Sequence, residues 1–309
     1  MEKVYDCVII GGGPAGYSAA LYAARAGLEA VVIEKMSIGG QMTLTETIDN
    51  YPGFDGGVDG FTLGEKMKKG AERFGATTKV GTVKSVELEG KIKKIELARE
   101  TLYSRTVIIA TGADHKELGI ENEKELVGRG VSYCAHCDAN FFRGKTVAVI
   151  GGGNSAVSDA MILSRVAQKV YLIHRRDTLR ATKIYHTALE NAPNVELCFN
   201  STVKKLHSDF KLNAITVSDK DGNEKELELD GVFISIGRNP ATELFKNQLE
   251  LDSHGYIVAD ESTRTSIEGV FAAGDVRTKA LRQVITAAAD GATAASFAEE
   301  YIVELGDTL

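Results

Sequence analysis

A single βαβ pattern is written twice along this chain, in the same register. Residues 5–10 form a mostly apolar run, as expected of a buried parallel strand. They lead into Gly11-Gly12-Gly13-Pro14-Ala15-Gly16. An Ala- and Leu-rich helix is predicted over about 15–25, stopped by Gly27. A second apolar strand, 30–33, ends in Glu34. The pattern then recurs: a strand at 146–150, the turn Gly151-Gly152-Gly153-Asn154-Ser155-Ala156, a helix to about 167, and a strand at 170–173 ending in His174. Gly11 and Gly151 lie 140 residues apart, and so do Glu34 and His174. Chance supplies one glycine string easily, but not a gapless repeat of this length.

Each glycine turn follows the logic of dinucleotide binding. Gly11 and Gly151 make the tight turn, and Gly13 and Gly153 let the backbone approach a pyrophosphate. Gly16 and its counterpart Ala156 allow close helix–strand packing. Pro14 and Ala15 in the first copy, Asn154 and Ser155 in the second, open helices whose free N–H groups can hold phosphates. Glu34 stands where an acid bonds the ribose hydroxyls of an unphosphorylated adenosine, which suits FAD or NAD. In the second copy the position is His174, followed by Arg175, Arg176 and, a turn later, Arg180. A carboxylate there would repel a 2′-phosphate, whereas guanidinium groups bind it through paired donors. The second site is therefore expected to prefer NADPH to NADH. The plainer reading of that basic run is a solvated surface. A chain holding both kinds of site moves hydride from one to the other.

The 309 residues suggest two domains, and 43% hydrophobic with 26% charged residues is ordinary for a soluble globular chain. A net charge of -7 argues against nucleic acid or an anionic membrane as the main partner. The N-terminal apolar run is too short for a secretory leader, and no run approaches the roughly 18 apolar residues of a membrane span. A cytoplasmic location is expected. There are four cysteines: Cys7, Cys134, Cys137 and Cys198. Only Cys134 and Cys137 form a close pair, in Cys134-Ala135-His136-Cys137-Asp138. Such pairs close small disulfides and often have lowered thiolate pKa values, which speeds sulfur exchange. Zinc is the competing use of a CxxC, but it needs four ligands, usually from a second pair. No metal is therefore expected, and Cys7 and Cys198 read as small core residues. Asp138 is placed to exchange a proton with a nearby thiolate, or else is a turn acid.

The chain resembles the low-molecular-weight, bacterial-type thioredoxin reductases over essentially its full length. The resemblance is carried by GGGPAG at 11–16, GGQMTLTETIDNYPGF at 39–54, ATG at 110–112, CAHCD at 134–138 and GGGNSA at 151–156. It continues in HRRDTLR at 174–180, SIGRNP at 235–240, FAAGDV at 271–276 and RQVITAAADG at 282–291. It implies an α/β fold of two Rossmann-like domains, three-layer ββα, with an NADPH domain (114–242) inserted into an FAD domain (1–113 and 243–309). By the resemblance Lys35, Gly39, Gly40, Gln41, Asn50, Val83, Thr111 and Gly112 line the FAD site. Gly274 and Asp275, with Arg282, Gln283 and Val284, would hold its ribityl chain and ring, and Gly237 and Arg238 would flank the NADPH adenosine. It also implies a homodimer, and a route from NADPH through FAD to Cys137, the inner sulfur. Asp138 would serve as proton donor and acceptor, and Cys134 would attack the disulfide of a thioredoxin. The nicotinamide and the CxxC would take turns at the flavin by rotation of one domain, hinged near 113–117 and 240–245.

Two departures stand out. His136 occupies a position where the family more often has a small or β-branched residue, and AVSDA at 156–160 replaces the commoner AVEEA. His136 could shift the redox balance, or meet a different partner. Alternatives of related fold are a flavoprotein that feeds a peroxiredoxin, a ferredoxin-fed reductase and a ferredoxin–NADP reductase. A glutaredoxin-like partner is another. From a different class, the chain could be a non-catalytic NADPH-binding redox sensor.

Overall fold

The computed structural model describes residues 3–306 apart from 36–37, 46, 183–185, 187–188 and 190; Glu46, within the 39–54 motif, thus lies outside the described residues. The chain divides into two compact units, Met1–Asp114 with Asn239–Leu309, and His115–Arg238.

The first unit is built on a seven-stranded sheet. Its strands are β1 (Val4–Ile10), β2 (Ala30–Glu34), β3 (Thr77–Val80), β4 (Val83–Glu87), β5 (Lys93–Leu97) and β6 (Thr101–Ile109), in the order β3-β2-β1-β6-β5-β4, with β17 (Val270–Ala272) also on β6. The β3-β2-β1-β6 part and β17 are parallel, while β5 and β4 are antiparallel additions. β1 is apolar on both faces because both are covered. Cys7 and Ile9 pack into a cluster with helix α1 (Pro14–Arg25) and the C-terminal helix; Val8 and Ile10 pack into another with Val83, Val86 and Ile95. Helix α1 lies against α5 (Val284–Glu304) through small residues, Ala15 and Ala19 on one side, Gly291, Ala294 and Ala295 on the other. A side chain at Gly291 would meet the Ala15 carbonyl, so this close approach requires glycine. A second helix, α2 (Gly60–Glu72), starts with Asp59 accepting the Thr62 N–H.

Between the units the chain passes through β7 (Ala113–His115) and β16 (Arg238–Pro240), which pair with one another. The second unit has a five-stranded parallel sheet of β8 (Val131–Ser132), β9 (Thr146–Ile150), β10 (Lys169–Ile173), β11 (Val195–Cys198) and β15 (Gly231–Ile234), in the order β11-β10-β9-β15-β8. Val147 and Val149 face helix α4 (Asn154–Ser164) and the short α3 (Ala135–Asp138). Ala148 and Ile150 face a three-stranded antiparallel sheet, β12 (Thr202–Ser208), β13 (Leu212–Ser218) and β14 (Glu224–Glu228), through Leu206, Ile215 and Leu227. The layers are therefore sheet, sheet and helix.

The repeat seen in the sequence is thus a repeat in space. β1-α1-β2 and β9-α4-β10 each place a glycine turn and a strand end at the C-terminal edge of a parallel sheet, where ligands bind in such folds. The second helix is shorter than the sequence suggests: it ends at Ser164, and residues 165–167 turn off towards β10. Cys7 is fully buried, as expected, whereas Cys198 at the end of β11 is half-buried.

Candidate active site

Both glycine turns have the same cause. Gly11 sits at φ +111° and Gly151 at φ +148°, where residues with a side chain are strained. A Cβ at Gly11 would also strike the Ala110 carbonyl, and one at Gly151 the Ser235 carbonyl. Pro14 then takes the first position of α1, and Asn154 that of α4. No described side chain caps either helix start, so their first N–H groups face the turn.

The strand ends make the two turns different. Glu34 accepts the Gly12 N–H on Oε2 at 2.6 Å, which fixes its carboxylate over the turn. His174 occupies the same place in the second unit, with its ring against Gly152, where a Cβ would collide with it. It is buried, and its Nε2 has no partner among the described residues. Burial holds its pKa below the ordinary histidine value. His174 therefore packs against the turn as a ring whose burial favours its neutral form, while the exposed Arg175, Arg176 and Arg180 carry charge. The loop bearing them is tied to the turn by main-chain bonds from Arg180 and Ala181 N–H to Gly152 O (2.7 and 3.2 Å), and from Thr182 N–H to Asn154 Oδ1 at 2.9 Å. Ser155 is exposed beside the turn and Ala156 is buried beneath it. Further along, Gly237 O accepts the Lys116 N–H at 3.0 Å, and half-buried Arg238 follows. An orphaned buried imidazole nitrogen and a glycine cradle fit an adenosine with a 2′-phosphate; a carboxylate pinned over a glycine cradle fits one without.

Around the first turn the other expected FAD residues come together in one unit. Gly39 N–H bonds Gly12 O at 2.8 Å, and Gly40 lies against Gly13. Lys35 is exposed at the end of β2. Gln41 Nε2 donates to Ala113 O and Asp114 Oδ1, both at 2.8 Å, and Thr111 Oγ1 donates to Ala241 O at 2.8 Å. Gly112 O accepts the Ala241 N–H at 3.0 Å. Asn50 Nδ2 donates to Gln283 Oε1 at 2.9 Å, and Gln283 caps α5, where Val284 begins. Val83 is buried among the apolar residues below the sheet, so its side chain serves the core. Arg282 bonds the Asp275 and Arg277 carbonyls (3.4 and 3.2 Å) and stacks on Tyr256 at 4.1 Å. It thus holds the Gly274–Val276 turn from one side. From the other, buried Asp290 accepts Gly274 N–H at 2.9 Å, two bonds from Arg277 (2.9 and 2.8 Å) and one from Lys279 at 2.7 Å.

In the second unit Cys134 and Cys137 form a disulfide, with Cα atoms 5.3 Å apart. Cys134 precedes α3, and its carbonyl accepts the Cys137 and Asp138 N–H groups at 3.2 and 3.1 Å. Asp138 is half-buried, and burial pushes its pKa up, partly offset by a bond from Ser132. That bond is Ser132 Oγ to Asp138 Oδ2 at 2.6 Å, and the same Oγ accepts the Cys134 N–H at 3.1 Å. Tyr133 donates to Glu123 at 2.6 Å and stacks on His115, with ring centroids 3.5 Å apart. His136 is exposed. Asp159, from the atypical AVSDA, accepts a bond from Ser235; burial raises its pKa, partly offset by that bond and then by nearby His136 and Arg238.

A disulfide backed by a carboxyl group, in a chain with two unlike glycine turns, has the parts needed to take up an electron pair and pass it to another disulfide. The family model for pyridine nucleotide-disulphide oxidoreductases matches residues 5–291. A thioredoxin reductase of Listeria monocytogenes is 46% identical over 310 residues, covering all of this chain and 97% of that one. One of Bacillus subtilis is 46% identical over 311 residues, covering 100% and 98%. The thioredoxin reductase structure from Streptococcus pyogenes superposes with a TM-score of 0.91 at 42% identity, covering 98% of this chain and 100% of that one. The chain belongs to the thioredoxin reductases of this family. Thioredoxin reductases draw electrons from NADPH, hold FAD and reduce a protein disulfide, and the residues described fit both nucleotides.

As a thioredoxin reductase the chain uses residues that sequence reasoning did not single out. Ser132, Asp159, Ser235 and Asp290 each hold a site segment; Ser132 lies outside every quoted motif, and the other three lie inside quoted stretches without being picked out there. Only the departure from AVEEA drew attention near Asp159.

Proposed function

We propose that the first unit binds FAD and the second NADPH, and that the Cys134–Cys137 disulfide hands electrons to a thioredoxin. The observation that carries this reading is the pair of strand ends: Glu34 pinned to Gly12 in one unit, and neutral His174 with three exposed arginines in the other. When bound, FAD supplies the means to accept a hydride from NADPH and to give two electrons to a disulfide.

The chain's own residues do the rest. The first N–H groups of α1 and α4 receive the pyrophosphates. Glu34 takes the ribose hydroxyls on one side, and Gly274, Asp275, Gln41 and Asn50 position the flavin. Cys137 is the sulfur that receives the electron pair. Asp138 gives a proton to the opening disulfide and takes it back when a mixed disulfide forms. Cys134 is the outer nucleophile. We place the enzyme in the cytoplasm as a homodimer. Among the described residues no helix is long and apolar enough to cross a membrane, and the net charge of -7 favours neither nucleic acid nor an anionic surface. A thioredoxin is favoured over a glutaredoxin-like partner by the relatives' shared activity. NADPH-dependent reduction of thioredoxin against glutaredoxin, with the oligomer sized by sedimentation, tests these points; preference for the glutaredoxin would overturn the partner.

Coenzyme choice gives a separate prediction. Arg175 and Arg176 reach into solvent from a loop held by its backbone, so Arg175→Ala with Arg176→Ala removes charge without moving the turn. Each charge-assisted bond contributes roughly 1.5–3 kcal/mol. The double variant is therefore expected to lose most of its NADPH preference, through KM for NADPH and with little change for NADH. Steady-state kinetics with both coenzymes measures this, and an unchanged NADPH/NADH ratio would remove the arginines from the 2′-phosphate site.

A further inference from the structure

The acid beside the redox pair does not stand free; it is held by Ser132. Ser132 ends β8, whose backbone is paired in parallel with β15, Ser132 opposite Phe233. Its side chain is buried. The single hydroxyl makes two bonds of opposite sense: it accepts the Cys134 N–H and donates to Asp138 Oδ2. The first residue of the CxxC and the residue after the motif are thereby joined through one atom on a sheet strand. Asp138 is also tied by its N–H to Cys134 O. We propose that Ser132 is a positioning residue for the proton step of disulfide reduction, clamping the Asp138 carboxyl group to the Cys134 end of the pair. This rests on Asp138 being the acid of that step.

The chemistry gives the clamp a direction. Opening the Cys134–Cys137 bond consumes two electrons, supplied by the reduced flavin, and leaves two sulfurs, one of which takes the proton of Asp138. Asp138 then becomes a carboxylate, and the Ser132 hydroxyl already points a donor at it. Burial raises the Asp138 pKa and the Ser132 bond lowers it. The charged groups on neighbouring elements are engaged elsewhere. Asp159 on α4 takes the Ser235 hydroxyl, Arg143 bonds Asn140 in the next turn, and Glu123 takes the Tyr133 hydroxyl. His136, on the same turn as Asp138, is exposed. Removing the hydroxyl takes away the bond that favours the charged form, so Asp138 should hold its proton to higher pH.

The test is the rate of disulfide opening in the intact holoenzyme, followed anaerobically after mixing with NADPH across pH 5.5–9, for the wild type, Ser132→Ala, Ser132→Thr and Asp138→Asn. Ser132→Ala is expected to slow the step roughly ten-fold near neutrality, the size of one lost bond to a charged group. Its alkaline limb should move to higher pH. Ser132→Thr, which keeps the hydroxyl, should restore both, and Ser132→Ala combined with Asp138→Asn should be no slower than Asp138→Asn alone. A wild-type rate and limb in Ser132→Ala, with Asp138→Asn slow, overturns the clamp and leaves Asp138 as the acid. A wild-type profile in Asp138→Asn overturns the acid itself, and the clamp with it. Native flavin absorbance and circular dichroism in Ser132→Ala exclude a folding defect; if it fails that check, Ser132→Thr against Ser132→Gly decides on the same two readouts.

Discussion

Cys137→Ser is expected to leave reduction of the flavin by NADPH intact while abolishing reduction of thioredoxin. The two half-reactions use different parts of the chain. The proposed coenzyme site is the Gly151–Gly153 turn and the 174–182 loop, neither of which involves a sulfur. Transfer to thioredoxin needs a bond that can open to receive two electrons, and with one sulfur gone there is no disulfide to open. The remaining Cys134 can form a mixed disulfide with a partner but has no neighbour to resolve it. Cys134→Ser is expected to give the same separation for the mirrored reason. Anaerobic stopped-flow bleaching of the flavin, set beside turnover with thioredoxin, measures both halves. Thioredoxin reduction by Cys137→Ser at near wild-type rate would show that the electrons leave by another route.

Asp290→Ala should be the most destabilising single change in the first unit. Asp290 is buried in α5 and neutralises two buried cations, Arg277 and Lys279, while its Oδ2 also takes the Gly274 N–H. Removing it strands both cations and frees the turn that carries Asp275. Breaking a buried ion pair from one side typically costs about 3–5 kcal/mol. The effect should appear in urea unfolding followed by flavin fluorescence, which reports the first unit if FAD binds there as proposed. Its pH dependence follows from the charges. Burial alone would raise the Asp290 pKa, but the bonds from Arg277 and Lys279 outweigh it and hold the folded value below the ordinary carboxylate range. Its contribution is therefore fully present above the unfolded value of about 4. It is lost as pH falls through the lower folded value. The difference between wild type and Asp290→Ala should accordingly shrink in strong acid. A midpoint unchanged by the substitution at neutral pH would show that the cluster is not holding the turn.

How much of this could be read from the sequence depends on whether a residue's partner is near it in the chain. The glycine turns, the helices after them and the strand ends were legible because one supersecondary unit contains cause and effect within about thirty residues. β1, β2, β9 and β10 fall within a residue of the expected positions. The CxxC was legible because its chemistry needs only its own spacing. Partners brought together by folding were not. Asp290 reaches Gly274 only because α5 runs back under the turn, and Asp159 meets Ser235 across 76 residues. Ser132 is close to Cys134 in sequence, but a lone serine carries no signal until a strand end aims its hydroxyl. The register of the repeat places His174 opposite Glu34, but only the fold reveals that its buried ring fills the space beside Gly152.

The loop that follows His174 is latched to the glycine turn by peptide groups and by Asn154, not by its arginine side chains. Its shape is therefore indifferent to what projects from positions 175, 176 and 180. Such an arrangement separates two things that selection would otherwise have to change together, the integrity of the nucleotide cradle and the choice of nucleotide. If the arginines read the nucleotide as proposed, single surface substitutions there would change the preference while leaving the bonds that hold the loop in place. The first unit offers no such freedom. There the group proposed to discriminate, Glu34, is itself bonded to the turn, so replacing it would remove a bond to the turn along with the preference.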